Sequence, residues 1–304
     1  MKAGVSTACL YPRLLEESVY DLAVNGINHI EIFVNTDSEL KKTYISNIAD
    51  TLKRFEVSCR SLHPYTCAME PMMFFSAYER RIADVLEYYK KYFNAMNILG
   101  AELFVFHGNK SLLQIPCELY CERFLKLYET AREFGITAAQ ENVSRCSSGS
   151  LSFMKEMVRN LGDKAKFVLD TKQAVRANES SFDILRTLKN HVVHVHISDH
   201  GEMGDCLQIG KGRFNIKRLL EILWEEIYGP EKYRDLWFMW EGKPLLLGNS
   251  DSLGQEYRNF FTIRASWAFN DWTGDGIERW PWIAEYPQAP GRNAAGEIEQ
   301  AAVS

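Results

Sequence analysis

The chain has no excess of positive charge, and this absence narrows the classes of partner it can bind. Its 304 residues include 35 Lys and Arg against 40 Asp and Glu, which gives a formal net charge of -5. Binding to a nucleic-acid backbone or to an anionic membrane surface normally requires a basic field. The composition therefore predicts no nucleic-acid partner and no membrane partner.

A disulfide pattern is also missing. The seven cysteines are odd in number and scattered, and none belongs to a C-x-x-C pair. Paired cysteines are typical of small secreted domains, so this usage favours a reducing compartment. The opening stretch "MKAGVSTACLYPRLLEE" makes a poor signal peptide, and no apolar run is long enough to cross a membrane. We therefore predict a cytoplasmic location.

The sequence has no G-x-G-x-x-G motif after its first apolar run, no internal repeat and no low-complexity linker. The missing glycine motif argues against an open doubly wound sheet that binds a dinucleotide. The other two absences argue against a second domain. The chain is 46% hydrophobic, so it can bury a substantial core.

The sequence contains a regular alternation of short apolar runs with longer segments in which apolar residues recur at helical spacing. The eight runs span residues 3–10, 27–34, 57–63, 102–108, 136–142, 166–171, 192–198 and 236–242. Such alternation is typical of parallel strands joined by helices, and eight units fit an α/β fold closed as a (β/α)₈ TIM barrel. We predict this barrel over residues 1–268, followed by a tail of unassigned role at 269–304.

Polar residues stand at the ends of four successive runs. Because side chains alternate between the two faces of a strand, Glu141, Asp170, His196 and Glu241 are predicted to face the barrel interior. The opposite face of the seventh run carries apolar residues suited to a helix layer: Val193, Val195 and Ile197. Barrel active sites lie at the carboxyl ends of the strands. The four polar residues are therefore expected to converge on one site.

Three acids and an imidazole that converge require a cation, because clustered carboxylates repel and are costly to desolvate. A single acid at a strand end more often caps a helix or forms a salt bridge, but four at successive ends favour a metal site. This donor set suits Mn²⁺ or Mg²⁺, with Co²⁺ and Zn²⁺ as alternatives, and leaves positions open for substrate oxygens. We predict one divalent ion, with Mn²⁺ as the first choice.

Other polar residues have two interpretations. His194 lies one inward position deeper than His196, and a hydrogen-bonded core histidine is favoured over a ligand. His63 and His107 end the third and fourth runs and could contact substrate or cap loops. The Gly210–Gly212 segment could bind a phosphate through its backbone N–H groups, although a plain turn is favoured.

Five segments together resemble the xylose isomerase-like TIM-barrel superfamily: "AAQENV", "FVLDTKQAV", "VVHVHISDH", "QIGKGRFNIKRLLEIL" and "FMWEGK". That superfamily includes sugar epimerases and isomerases, inosose dehydratases and apurinic endonucleases. The resemblance covers residues 1–268. For members similar to ketose 3-epimerases it implies one ion held by Glu141, Asp170, His196 and Glu241. It also implies that the two glutamates act as the acid and base on opposite faces of a sugar.

The chain departs from the superfamily pattern at several positions. Gln173 stands where many members have a substrate-binding histidine, so it is a candidate substrate-binding residue. Glu202 lies near the position where epimerases often carry an arginine. Gly204 and Cys206 replace the extra ligands that the endonuclease-like members need, which disfavours a role in DNA repair.

The resemblance and the site together predict an isomerase that acts on a small sugar or polyol. It would remove a proton next to a carbonyl and form a metal-stabilised enediolate, as either an epimerase or an aldose–ketose isomerase. One alternative is a dehydratase or lyase that acts on an inosose, keto-sugar or glycoconjugate with the same site. Another is a metal-binding subunit of a larger complex. A homo-oligomer and a partner subunit are both compatible with the sequence.

Overall fold

Eight parallel strands close into a barrel, which confirms the predicted fold class. The computed structural model of the chain describes residues 2–65, 70–111, 114–207, 209–223 and 237–240. The barrel strands are β1 (Lys2–Ser6), β2 (His29–Val34), β3 (Ser58–Pro64), β4 (Leu103–Phe106), β5 (Thr137–Glu141), β6 (Phe167–Asp170), β7 (Val192–Ile197) and β10 (Trp237–Trp240). All eight fall within the predicted apolar runs or within one residue of them. Between β7 and β10 in the chain, β8 (Asp199–Gly201) and β9 (Gly204–Leu207) form a small antiparallel sheet.

Helices connect the strands, as a parallel barrel requires. The α-helices are α1 (Leu15–Val24), α2 (Lys42–Arg54), α3 (Glu79–Leu99), α4 (Cys117–Glu133), α5 (Leu151–Leu161), α6 (Thr171–Arg176), α7 (Ser181–Leu188) and α8 (Ile216–Glu221). Short 3₁₀ helices span Thr7–Leu10, Asp37–Leu40, Ser147–Gly149, Gly162–Lys164 and Lys189–His191, and a π-helix spans Glu70–Phe74. None of the helices in the described part of the chain has the length and apolar character needed to span a bilayer.

The core has two parts, on the two faces of the barrel wall. The larger part lies between the strands and the helices, and it includes Val195 and Ile197 as predicted. The smaller part fills the barrel interior and consists of Leu103, Val105, Ala139 and Val168. This division follows from the alternation of side chains along each strand.

The predicted outward position of Val193 is wrong. Val193 packs against the interior cluster, whereas its neighbour Val192 joins the outer core. The register between β6 and β7 shifts here, because Phe167 pairs with Val192 while Val168 pairs with His194. A bulge of this kind adds one residue to a strand and interrupts the alternation locally. Above the bulge, Val195 returns to the predicted face.

Gly108 shapes the turn that follows β4 and His107. Its φ of +83° lies in the left-handed region, and a Cβ added there would lie 1.9 Å from the hydroxyl oxygen of Tyr120. Tyr120 is fully buried on α4 and donates a hydrogen bond to the side-chain oxygen of Gln140. Only glycine fits this close approach, which brings the end of β4 against α4.

The predicted boundary between barrel and tail lies outside the described residues. The division into residues 1–268 and 269–304 therefore stays a prediction.

Candidate active site

Three of the four predicted metal ligands meet at the carboxyl end of the barrel. Glu141 ends β5, Asp170 ends β6, and His196 stands one residue before the end of β7. Each offers a ligand atom that lies within 4.8 Å of the other two, and all three side chains are buried. Asp170 and His196 are direct partners in the β6–β7 pairing. Glu241 directly follows β10 in the sequence and lies outside the described residues, so its place in the set stays a prediction.

The segment after β6 holds the carboxylate of Asp170. The backbone N–H of Gln173 donates to Oδ1 at 2.9 Å, which makes Asp170 the N-cap of α6. Nζ of Lys172 lies 3.5 Å from Oδ2, and this lysine side chain is largely buried. The side chain of Asn142, the residue directly after β5, binds the backbone of Asp170. The carboxylate is therefore fixed in position by its neighbours.

His63 and His107 both lie against Glu141. Nε2 of His107 is 3.2 Å from Glu141 Oε2, and Nε2 of His63 is 3.8 Å from the same oxygen. Nδ1 of His63 lies 2.9 Å from the carbonyl oxygen of Pro64, so this nitrogen carries a hydrogen. The ring of Phe33 packs on His63 with centroids 4.9 Å apart. The structure brings both histidines to the candidate site, one of the two positions that the sequence allowed.

Three neighbouring histidines determine the ionisation of Glu141. Burial raises the pKa of its carboxyl, but the contacts with His107, His196 and His63 outweigh that effect and hold the pKa well below its usual value. Glu141 is therefore ionised at neutral pH.

Glu31 is a site residue that the sequence analysis missed. It lies on β2, is fully buried, and places Oε2 3.2 Å from Nε2 of His196. Burial raises the pKa of this carboxyl, but His196 and His194 hold the pKa well below its usual value. The signal was present in the run "INHIEIFV", where Glu31 stands on the face opposite Ile30 and Ile32. The alternation of side chains that predicts inward positions on the later strands also predicts an inward position for Glu31.

His194 lies in the deeper layer that the sequence predicted. It is fully buried, and its Nε2 lies 3.4 Å from Oε2 of Glu31. With Glu31 and His196 it forms a second group of buried ligand-type side chains, and His63, His107 and Glu141 form a third. The candidate site is thus a continuous cluster of carboxylates and imidazoles.

Gln173 uses its side-chain oxygen within the protein. Oε1 accepts hydrogen bonds from the backbone N–H and the hydroxyl of Ser144, at 3.1 and 3.0 Å. A contact with substrate would therefore come from its amide nitrogen. The substrate-binding role of Gln173 stays a prediction.

The Gly210–Gly212 segment folds around the buried carboxylate of Asp199. The N–H groups of Gly210 and Gly212 donate to Oδ2 at 2.9 and 3.0 Å, and those of His200 and Phe214 both donate to Oδ1 at 2.8 Å. An internal carboxylate occupies the place where a phosphate would have to bind. These contacts agree with the favoured interpretation as a plain turn.

Comparison with known structures finds the same fold in several solved proteins. A D-tagatose 3-epimerase-like protein is 20% identical with a TM-score of 0.66, covering 87% of this chain and 100% of that one. The IolI protein with a bound zinc atom is 16% identical with a TM-score of 0.68, covering 89% and 100%. The 3-keto-D-glucoside 4-epimerase YcjR from E. coli is 15% identical with a TM-score of 0.63, covering 86% and 99%. At these identities the likeness shows the fold.

No curated protein matches the sequence of this chain. The model of one protein family, described as the xylose isomerase-like TIM barrel, matches residues 19–241. The matched segment includes most of the described strands and every ligand predicted from the sequence. The chain belongs to the xylose isomerase-like TIM-barrel family.

Proposed function

We propose that the chain is a divalent-metal-dependent isomerase of small sugars, either an epimerase or an aldose–ketose isomerase. The observation that carries the proposal is the buried convergence of Glu141, Asp170 and His196 at the carboxyl end of the barrel. Two of the structures with the same fold are named as a 3-epimerase-like protein and a 4-epimerase of sugars, and these names support the substrate class.

The residues of the site fit a divalent ion. Two carboxylates and an imidazole with ligand atoms within 4.8 Å of one another form a set of hard and borderline donors. Such a set is costly to bury without a cation to offset the repulsion between acids. Glu241 is proposed as the fourth ligand. Mn²⁺ is our first choice from the donor types, and the zinc atom of the IolI structure makes Zn²⁺ the second ion to test.

When bound, a divalent ion would polarise a ketone oxygen and acidify the hydrogen on the neighbouring carbon. Glu141 is the proposed base, because its carboxylate is ionised and lies at the mouth of the barrel. A carboxylate with a lowered pKa is a weak base, so the reaction needs this acidification of the substrate. His107 lies 3.2 Å from Glu141 and would hold the carboxylate in place by a hydrogen bond.

Delivery of a second proton to the opposite face would invert the carbon, and Glu241, protonated from solvent, is the proposed acid for this step while Glu141 releases its proton to solvent. Return of the first proton from the same side to the neighbouring carbon would interconvert an aldose and a ketose. The proposed contacts to substrate hydroxyls are Nε2 of His63 as an acceptor and the amide nitrogen of Gln173 as a donor. In this scheme the two glutamates move protons, and the other residues bind and orient the sugar.

A deuterium experiment tests the proposal. Free ketoses, inososes and glycoconjugates are incubated in D₂O with the chain and Mn²⁺ or Zn²⁺, and the products are examined by NMR. We expect deuterium at the inverted carbon, and Glu141→Gln should abolish turnover. Glu202→Gln, which changes an exposed acid on the β8–β9 turn, is the matched control and should retain turnover. Full turnover by Glu141→Gln with metal retained would exclude Glu141 as the base.

The second candidate function is dehydration with the same site. It is favoured by the paired imidazoles of His63 and His107, whose Nε2 atoms lie 3.2 Å apart beside Glu141. An imidazole in this position could protonate a hydroxyl group as it leaves. A dehydratase would release water and form an absorbing enone or dione, whereas a metal-binding subunit would give neither exchange nor product.

A further inference from the structure

We infer that Glu31 is a positioning residue that orients the His196 ring and makes Nδ1 the nitrogen available to a metal ion. The inference rests on the metal site proposed above. The Glu31 carboxylate on β2 contacts the ring nitrogen of His196 that does not face Glu141. The inference adds a supporting residue to the site, and neither the sequence pattern nor the family match assigns this role.

The His196 ring lies between two carboxylates. Nδ1 is 3.1 Å from Oε1 of Glu141, and Nε2 is 3.2 Å from Oε2 of Glu31. A neutral imidazole carries one hydrogen, and only its other nitrogen can bind a metal ion. Nδ1 faces Glu141, the side on which the proposed ion would lie. Nε2 must therefore carry the hydrogen, and Glu31 is the group placed to accept it.

Glu31 is itself fixed by the neighbouring strand. Ser61 on β3 donates its hydroxyl hydrogen to Oε2 at 2.6 Å, and the two residues are register partners. The Glu31 side chain is fully buried, so water does not compete for the His196 hydrogen. A buried carboxylate is costly unless it is hydrogen-bonded. The contacts of Glu31 with Ser61, His196 and His194 all fall on Oε2, which concentrates them on the oxygen that faces the His196 ring.

His194 does not take over this role. Its Nε2 lies 3.4 Å from the same Glu31 oxygen, and it is one inward position deeper than His196. It stands in the Glu31 group and is not part of the group formed by Glu141, Asp170 and His196. The contact of His194 with Oε2 supports the Glu31 side chain from the deeper layer of the barrel. Carboxylates that accept from the second nitrogen of a metal-bound histidine typically change metal affinity roughly 10–100-fold when removed.

The test measures Zn²⁺ binding to the full chain without any sugar. Affinity is measured by competition with a chelator, and ¹⁵N NMR of histidine-labelled protein identifies the His196 nitrogens, assigned with His196→Ala. In the unmodified chain we expect Nδ1 bound to zinc and Nε2 protonated. Glu31→Gln should lower the affinity by roughly 10-fold or more and shift the His196 signals. The control is Tyr120→Phe, which removes a buried hydrogen bond away from His196. It should leave the zinc affinity within about twofold of the original and the His196 signals unchanged.

Unchanged affinity and unchanged His196 signals in Glu31→Gln would overturn the inference. Glu31→Gln keeps the shape of the side chain, and Ser61→Ala is a second variant that removes only the hydrogen bond to Glu31. If Glu31→Gln does not fold, a loss of affinity in Ser61→Ala supports the inference and unchanged affinity overturns it. Glu31-dependent zinc binding without sugar turnover would reject only the proposed function. An active isomerase whose Glu31→Gln variant binds zinc normally would reject only the inference.

Discussion

The side chain of Asn142 pairs with the backbone of Asp170 across the β5–β6 boundary. Nδ2 of Asn142 donates to the Asp170 carbonyl oxygen at 3.0 Å, and Oδ1 accepts from the Asp170 N–H at 2.6 Å. Both residues are buried. The amide therefore continues the strand pairing by one residue and orients the proposed ligand.

Asn142→Ala should destabilise the chain and weaken metal binding. It leaves a buried N–H and a buried carbonyl of Asp170 without their partner, and each such loss costs about 1–3 kcal/mol. Urea unfolding measures the free energy, and zinc titration measures the affinity. Asn160→Ala is the control, because Asn160 makes its hydrogen bond at an exposed site and should change stability by less than about 0.5 kcal/mol. Equal effects from the two variants would contradict the positioning role of Asn142.

Removal of metal ligands should abolish stoichiometric binding. We expect about one divalent ion per chain, and His196→Ala or Asp170→Asn should each lose it, because each removes one of the converging donors. Elemental analysis after dialysis gives the occupancy. His191→Ala is the control, since Nδ1 of this histidine lies 2.9 Å from the carbonyl oxygen of Ala165 and outside the cluster. Full metal occupancy in both ligand variants would show that His196 and Asp170 do not hold the ion.

Gly108→Ala should be much more destabilising than Gly100→Ala. Both glycines have positive φ, so each substitution costs about 1–2 kcal/mol of backbone strain. A Cβ at position 100 meets nothing within 4 Å, whereas one at position 108 clashes with Tyr120. Overpacking of this kind adds about 1–3 kcal/mol. Thermal and urea unfolding of the two variants give the difference.

The clash itself can be tested by a double variant. Tyr120→Phe removes the hydroxyl oxygen nearest to the added Cβ, although the ring carbon at 3.0 Å remains. Gly108→Ala combined with Tyr120→Phe should therefore recover part of the excess cost. Purely additive effects of the two substitutions would show that the hydroxyl is not the cause.

The turn around Asp199 should be structural and not a phosphate site. Asp199→Asn replaces one carboxylate oxygen with an amide group that faces backbone N–H donors, so at least about 2 kcal/mol of stability should be lost. Lys211→Ala should leave kcat/KM unchanged for sugars and for their phosphate esters alike, because the Lys211 side chain is exposed on the turn. A selective loss of activity on the phosphate esters would contradict this assignment.

Local properties of the chain determined the fold class and the direction of the main site residues. Strand and helix periodicity are short-range features of the backbone, so the eight runs predicted the barrel. Alternation along single strands predicted that Glu141, Asp170 and His196 face inward. The same rule failed at Val193, because a shift in pairing between two strands is not encoded within either strand alone.

The tertiary structure decided which of these side chains meet. Glu31 and His196 are 165 residues apart, and only closure of the barrel brings β2 to face β7. The carboxylate of Asp199 likewise accepts hydrogen bonds from backbone N–H groups 11 to 15 residues further along the chain, including that of Gly210. Contacts of this kind depend on register and on the path of the chain between elements. The alternation within single strands determined that Glu141, Asp170 and His196 face inward, and the packing of distant strands decided how those groups pair with one another and with Glu31.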